Sequence, residues 1–292
     1  MARLAAQIKM EYMPTPEKIA VQLARWFVPG KMGVVRFADT SVGEGIALSL
    51  FAGDFSDRDG EHAIETIGIE LSPFRADEAK DRLGVVLPCS FYQVAPYPGR
   101  WSNNSCSLVY NNPPYDFSEY RGPDGKLIRH ERLFVTQATP KIVRGGHQVI
   151  IIPQHQLKDE TLVRHLLGNF DRATVYRFPD GEFEQYGQVV IFAIGRRQYT
   201  PPKKEAIEAI TALTDFDGSL ITPLPEEPDF TVTVPRAPAT YKFEYIPTDP
   251  AELVKAAAYV SAIKTPAYLR ATYVRPVGAN FSPVLPPKQG HM

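Results

Sequence analysis

The spacing of apolar positions changes several times along the chain, and each change predicts an element. Ile19, Leu23, Trp26 and Phe27 recur at helical spacing, with Thr15 available as a cap and Pro16 suited to the first helical position, so residues 10–28 are expected to hold a helix. Short apolar runs then predict buried strands at 33–39, 66–70, 85–91, from Ser107 towards Asn112, and at 148–153, 173–178 and 187–195. Helices are expected after Gly45, from Ser72-Pro73 through Leu83, from Leu133 to Arg144 with a break at Pro140, and over 162–167. Gly145-Gly146 reads as a turn, and the Gly- and Pro-bearing stretch from Asp116 to Arg132 as a flexible loop. Alternation of strand and helix through residue 195 predicts an α/β, doubly wound fold around one mostly parallel sheet, its final pair antiparallel.

The pattern changes near Tyr199. Lys203 to Leu213 predicts a short helix, 222–250 is rich in proline and acidic residues, Tyr241 to Ile246 alternates like an exposed strand, and Asp249 opens a helix to Ile263. Residues 1–198 are therefore expected as the main domain and 199–292 as a small, irregular, Pro-rich appendage that binds substrate or a partner.

Composition narrows the class. The 292 residues, 44% apolar and 11% aromatic, suffice for a large core and an appendage. No apolar run is long enough to span a bilayer and the N-terminus lacks a signal-peptide core, which predicts a cytoplasmic protein with no membrane partner. Cys89 and Cys106 fit neither a metal-ligand spacing nor a disulfide framework and are expected as buried thiols. A formal net charge of −1 provides no global attraction to nucleic acid, so such contact would depend on local patches.

The candidate chemistry centres on Asn112-Pro113-Pro114-Tyr115 at the end of a strand. Two prolines stiffen the exit and leave carbonyl oxygens free to face a cleft. The Asn112 amide oxygen and the Pro113 carbonyl would accept both hydrogens of a planar amino group and favour a more pyramidal, reactive nitrogen, with Tyr115 stacking on the flat group presented. Upstream, Asp39 ends a strand and precedes Gly43 and Gly45, a strand–turn–helix arrangement that lets a ligand approach backbone. Leu48 stands where the dinucleotide fingerprint has its third glycine, and the acid before the glycines suits a ligand carrying an ammonium group. Glu70, at the next strand's tip, would accept two hydrogen bonds from ribose hydroxyls. Phe91 offers a wall for a purine, and the basic residues within 121–132 either meet phosphates or belong to a solvated surface loop. His147 and His155 flank a strand and are read as ordinary structural histidines.

In this order the parts resemble class I S-adenosylmethionine-dependent methyltransferases, and among them the DNA adenine-N6 amino methyltransferases, over residues 10–195. Asn112-Pro-Pro-Tyr115 matches the catalytic tetrapeptide, Asp39-x-x-x-Gly43-x-Gly45 the cofactor loop, Glu70 the ribose acid, and Tyr12 to Pro16 the N-terminal cofactor motif of the gamma-type order. The resemblance implies a seven-stranded Rossmann-like sheet, S-adenosyl-L-methionine as methyl donor, in-line transfer without a metal, and DNA as the partner. Cofactor contacts are implied for Tyr12, Thr15, Pro16, Asp39, Ser41, Gly43 and Gly45, and beyond them for Glu70, Leu71, Ser90, Phe91 and Asn112. Asn112, Pro113, Pro114 and Tyr115 would be catalytic. Two departures stand out: Ser90 occupies the region where the family often has an acid for the adenine, and residues 200–292 are short for a target-recognition region. A protein glutamine amide or RNA as acceptor, or a non-catalytic interaction protein on the same fold, are the competing expectations.

Overall fold

The computed structural model describes residues 13–59, 62–96, 99–214 and 218–246; Tyr12 and the helix expected over 249–263 lie outside them. The elements are α1 (Glu17–Ala24), β1 (Phe27–Pro29), β2 (Val34–Asp39), α2 (Ile46–Asp59), β3 (Ala63–Ile69), α3 (Pro73–Lys80), β4 (Val85–Leu87) and β5 (Cys106–Asn111). They continue with β6 (Phe117–Arg121), β7 (Leu127–Arg129), α4 (His130–Ala138), β8 (Ile142–Pro153), α5 (Glu160–Asn169), β9 (Phe170–Arg177), α6 (Glu182–Tyr186), β10 (Gln188–Arg196), α7 (Lys204–Thr211) and β11 (Val232–Val234).

Seven strands form one sheet in the order β4-β3-β2-β5-β8-β10-β9. Neighbours from β4 to β8 are parallel, and β10 runs antiparallel to both β8 and β9, so the mostly parallel wound sheet with an antiparallel end is observed as expected. Burial on both faces explains the near-continuous apolar runs, and it extends to the antiparallel strand β10, where the first eight of nine residues are buried. The order reverses between β2 and β5, which opens a crevice beyond their carboxyl ends. Asp39 pairs with Tyr110 there, one residue before Asn111 ends β5.

Several local expectations are corrected. The first helix stops at Ala24, and Phe27 enters β1, because residues 27–29 pair in parallel with β11. Gly145 and Gly146 lie inside the twelve-residue β8 instead of forming a turn. Gly146 lets β8 pass β5, since a Cβ there would stand 2.6 Å from the Ser107 carbonyl oxygen, and the β5–β8 register shifts at this point. The loop expected over 116–132 is the β6–β7 hairpin followed by the start of α4. The third strand is only Val85–Leu87, and a 3-10 turn over Phe91–Gln93 follows it. The interrupted helix at 133–144 is α4, a 3-10 turn at Thr139–Lys141 and then the start of β8. Tyr241–Ile246 contributes a single bridge, Trp101 to Phe243, and no strand. Among the described residues no helix is long and apolar enough to cross a membrane, and Cys89 and Cys106 are buried free thiols.

The chain divides into two compact units after Tyr245, and the change of composition at residue 199 falls inside the first. Two anchors tie residues 230–245 to the sheet. Trp26, fully buried, stacks on Phe192 at 4.5 Å and takes the edge of Phe230 at 4.6 Å. Arg36, also fully buried, reaches Glu65 at 2.6 Å, the Ser105 carbonyl at 2.6 Å and the Pro238 carbonyl at 3.2 Å, with Tyr241 over its guanidinium at 3.5 Å. A planar cation with five donors suits this position, where a lysine would leave acceptors unmet.

Candidate active site

A cavity of about 920 Å³ opens at the carboxyl ends of the strands around the β2–β5 reversal. Its walls include Thr15 and Pro16, Asp39 and Ser41, Glu70 and Leu71, Ser90 and Phe91, and Asn112 to Pro114. These are residues singled out from the sequence, and β2, β3, β4 and β5 bring them together because each contributes the loop at its carboxyl end.

Asp39 is buried, and its Oδ1 accepts the Ser41 backbone N–H at 2.9 Å. Burial pushes its carboxyl up to about 7; the Ser41 N–H opposes that shift and the nearby Glu70 charge adds to it. Such a group is held ready for a cation. Glu70 is more occupied than the sequence suggests. Its Oε1 accepts from the Ser72 N–H at 2.7 Å and from Arg75 at 2.8 and 3.1 Å, while Oε2 accepts from the Gly43 N–H at 3.0 Å. Only Oε2 keeps an open lone pair, so a ribose meets one free acceptor here instead of two.

Gly43 and Gly45 do not line the cavity, although Val42, Glu44 and Ile46 beside them do. Both hold positive φ, and a Cβ on Gly45 would stand 3.0 Å from Ala79 Cα. These glycines shape the turn and let α3 pack under it, which is a reason of packing as well as of ligand approach.

The tetrapeptide is tied to both neighbouring segments. Ser41 Oγ donates to the Asn112 carbonyl at 2.8 Å, joining it to the glycine turn. Asn112 Nδ2 donates to the Met13 carbonyl at 2.7 Å and to Thr15 Oγ1 at 3.1 Å. Thr15 is not the helix cap: Pro16 holds the cap position without a side-chain bond, and the Thr15 hydroxyl also accepts from Tyr110 at 3.0 Å. Among the described residues nothing donates to the Pro113 carbonyl. Tyr115 does not line the cavity. Its hydroxyl donates to Asn112 Oδ1 at 2.7 Å and accepts from Gln188 Nε2 at 2.6 Å, so stacking on a bound group would require it to leave those partners.

Ser90 accepts from the Tyr92 N–H and caps the 3-10 turn, while Phe91 stacks on Phe134 at 4.3 Å. The side of the cavity beyond Pro113 and Pro114 was not foreseen. It is built by Tyr92, Asp116, His130, Glu182, Gln185 and Tyr186. Tyr92 and His130 Nδ1 are 2.6 Å apart. Burial lowers the His130 pKa and raises that of the Tyr92 phenol, so a neutral imidazole and a neutral phenol share this hydrogen bond. Only the presence of a hydroxyl-bearing aromatic next to Phe91 hinted at this in the sequence.

His147 and His155 do not line the cavity. His147 donates from Nε2 to the Thr233 carbonyl at 2.9 Å and accepts the Gly195 N–H at Nδ1, 3.1 Å away. With its pKa driven down to about 4 by burial, it is a neutral structural residue. No three His, Cys, Asp or Glu side chains gather as a metal ion would need among the described residues.

A wound seven-stranded sheet with an antiparallel end is the fold of the Rossmann-like methyltransferase class. The chain belongs to the family described as Uncharacterised methyltransferase family (DUF6094), whose profile matches residues 1–227. Among solved structures, a Listeria monocytogenes protein described as a class I S-adenosylmethionine-dependent methyltransferase is similar with a TM-score of 0.51 and 12% identity, over 89% of this chain and 76% of that one. The type IIG restriction endonuclease BpuSI is similar with a TM-score of 0.50 and 14% identity, over 71% of this chain and 30% of its own. The type I restriction-modification methyltransferase subunit of Streptococcus thermophilus gives 0.47 and 16%, over 70% and 53%. No curated protein matches the chain. Membership of the family implies S-adenosylmethionine as the methyl donor.

Proposed function

We propose that this protein transfers a methyl group from S-adenosylmethionine to an exocyclic amino nitrogen, with adenine N6 in DNA as the first acceptor to test. The observation that carries the reading is the pair of acceptors at the cavity wall: Asn112 Oδ1, whose amide nitrogen is already engaged, and the Pro113 carbonyl, which no described residue uses. When bound, S-adenosylmethionine supplies an electrophilic methyl group. Asp39 would hold its ammonium, Glu70 Oε2 a ribose hydroxyl, and Ser90 and Phe91 the adenine region. Asn112 and Pro113 would draw the acceptor's two N–H groups into plane with themselves, leaving the nitrogen lone pair to face the methyl carbon. For a base in DNA this requires extrusion from the helix, and the β6–β7 hairpin next to the tetrapeptide exposes Phe117, Tyr120, Arg121 and Lys126 to a strand.

A second acceptor, the glutamine amide of a protein, is favoured by one observation. Asp116 and Glu182 line the cavity, and the sole Lys or Arg among the described lining residues, Arg75, is paired with Glu70. Carboxylates in the lining repel phosphodiesters and tolerate a neutral amide. RNA would meet the same repulsion. Incubation with tritiated S-adenosylmethionine and, separately, unmethylated DNA, RNA and a protein extract decides among them. Label in DNA as N6-methyladenine is expected; label in protein alone selects the second reading. Absence of cofactor binding by calorimetry would mean a non-catalytic protein on this fold, with residues 199–292 then the region to examine for a partner.

Two further outcomes are expected. Affinity for S-adenosylmethionine falls as the pH drops through about 7, by about tenfold per pH unit below it, because protonation removes the charge that faces the ammonium. Calorimetry at stepped pH should show this slope in the native protein and none in Asp39→Asn. A raised folded-state pKa also opposes folding once the pH rises through that value, so Asp39→Asn should have the higher Tm at pH 8. Glu70→Ala should weaken cofactor binding by about 1.5–3 kcal/mol, the scale of one charge-assisted hydrogen bond; calorimetry giving the native affinity would remove Glu70 from the site.

A further inference from the structure

We infer that Thr15, Tyr110, Tyr115 and Gln188 form a clamp that locks the Asn112 amide in one orientation, so that it offers an incoming group a single acceptor and no donor. This rests on the reading of Asn112 as the acceptor for a target amino group.

An asparagine amide has nearly the same shape after a half-turn about its last bond, and that half-turn exchanges oxygen for NH₂. A freely turning Asn112 would present donors to a target N–H for part of the time. One neighbour here permits only one of the two orientations, and the others are satisfied in that orientation. The Met13 carbonyl can only accept, and it lies 2.7 Å from Nδ2. Tyr110 donates its hydroxyl hydrogen to Thr15 Oγ1, which uses one lone pair there and leaves the other for the second Nδ2 hydrogen, 3.1 Å away. At the opposite end, Gln188 is buried and donates to the Tyr115 oxygen at 2.6 Å. The phenol hydrogen reaches Asn112 Oδ1 at 2.7 Å, with the Ile151 carbonyl a longer alternative at 3.5 Å, and burial holds that phenol protonated by raising its pKa.

Counting the groups gives the consequence. Both Nδ2 hydrogens are used, and Oδ1 keeps one of two lone pairs. Together with the Pro113 carbonyl, the wall presents two acceptors, which match the two hydrogens of an NH₂ and repel an oxygen at the same position. Rejection of that kind is strong because it leaves buried groups unpaired. Aspartate at position 112 would set a carboxylate oxygen against the Met13 carbonyl, which explains why the amide occupies this site. Thr15, Tyr110 and Gln188 are positioning residues, and Tyr115 acts through its hydroxyl.

The test uses the full chain labelled with ¹⁵N-asparagine, the Asn112 side-chain signal being the one lost in Asn112→Ala. Its two hydrogens should exchange with water at least tenfold more slowly than those of exposed asparagines. Thr15→Val, Tyr110→Phe and Gln188→Leu should each lose that protection, and Thr15→Ser should keep it. On the acceptor methylated by the native protein, Thr15→Val and Gln188→Leu should lower kcat about tenfold, Gln188→Leu with KM and cofactor Kd within twofold, and Thr15→Ser should restore kcat. Tyr115→Phe, which keeps the ring, should lose kcat like Gln188→Leu; an unchanged kcat would assign Tyr115 to stacking and break the clamp. Native exchange and native kcat in Thr15→Val and Gln188→Leu overturn the proposal, as does loss of protection with no change in kcat. Should the native protein methylate none of DNA, RNA or protein, the methyl-transfer reading fails on that result, while the exchange measurements still decide whether the amide is locked.

Discussion

Asn112→Ala should lower the rate of methyl transfer by roughly a hundred- to a thousandfold, while the affinity for S-adenosylmethionine stays within a few fold. The size follows from removing one preorganised hydrogen-bonding group from a water-poor site, worth about 2.7–4 kcal/mol in the transition state. The selectivity follows from connectivity. The side chain faces Met13, Thr15 and Tyr115, and the link to the glycine turn runs through the Asn112 backbone carbonyl to Ser41, which alanine retains. Cofactor titration together with single-turnover methyl transfer checks both halves. Equal loss of binding and transfer, with a lowered Tm, would show Asn112 to be a structural residue joining the N-terminal segment to the tetrapeptide.

Arg36→Ala should be the most destabilising of the changes considered, by about 3–5 kcal/mol, the range found when one partner of a buried pair is removed. That corresponds to a fall in Tm of roughly 6–20 °C for a unit of this size. The charge of Glu65 contributes the smaller part, because that side chain is 39% exposed and water screens it. The larger part comes from the Ser105 and Pro238 carbonyls, which lose their donor, and from the Tyr241 ring, which loses the cation beneath it. Residues 235–243 should then become the first site of limited proteolysis, ahead of unfolding of the sheet. Glu65→Gln should cost much less. A Tm within 2 °C of the native protein, with no new cleavage, would show that β11 and Phe230 hold this segment without Arg36.

The site was legible in the sequence where a single element carries it. Asp39, Glu70 and Asn112 each stand just at or beyond the end of an apolar run, and a strand followed by a loop places such a residue at a sheet edge whatever the rest of the chain does. Thr15 and Pro16 were found for a related reason, as start signals of a helix, although the hydroxyl serves Asn112 and Tyr110 instead of the helix. The acceptor side of the cavity was not legible. Tyr92, His130 and Glu182 sit in a 3-10 turn, at a helix start and in a five-residue helix, and no periodicity links them. The occupancy of Glu70 by Arg75 was equally hidden, since an arginine five positions on reads as an exposed helical residue until the turn at Ser72 bends it back.

By itself, the sequence determined the alternation of strands and helices, the wound sheet and the residues at its carboxyl edge, because periodicity, proline and glycine act through neighbours in the chain. Only the tertiary structure decided which strands adjoin, that Gly145 and Gly146 continue β8, that β11 pairs with β1, and that the Asn112 amide meets Met13, Thr15 and Tyr115. Those outcomes depend on hydrogen bonds between residues as many as 99 positions apart at the Asn112 site and 202 at Arg36, and such partners leave no local pattern from which they can be read.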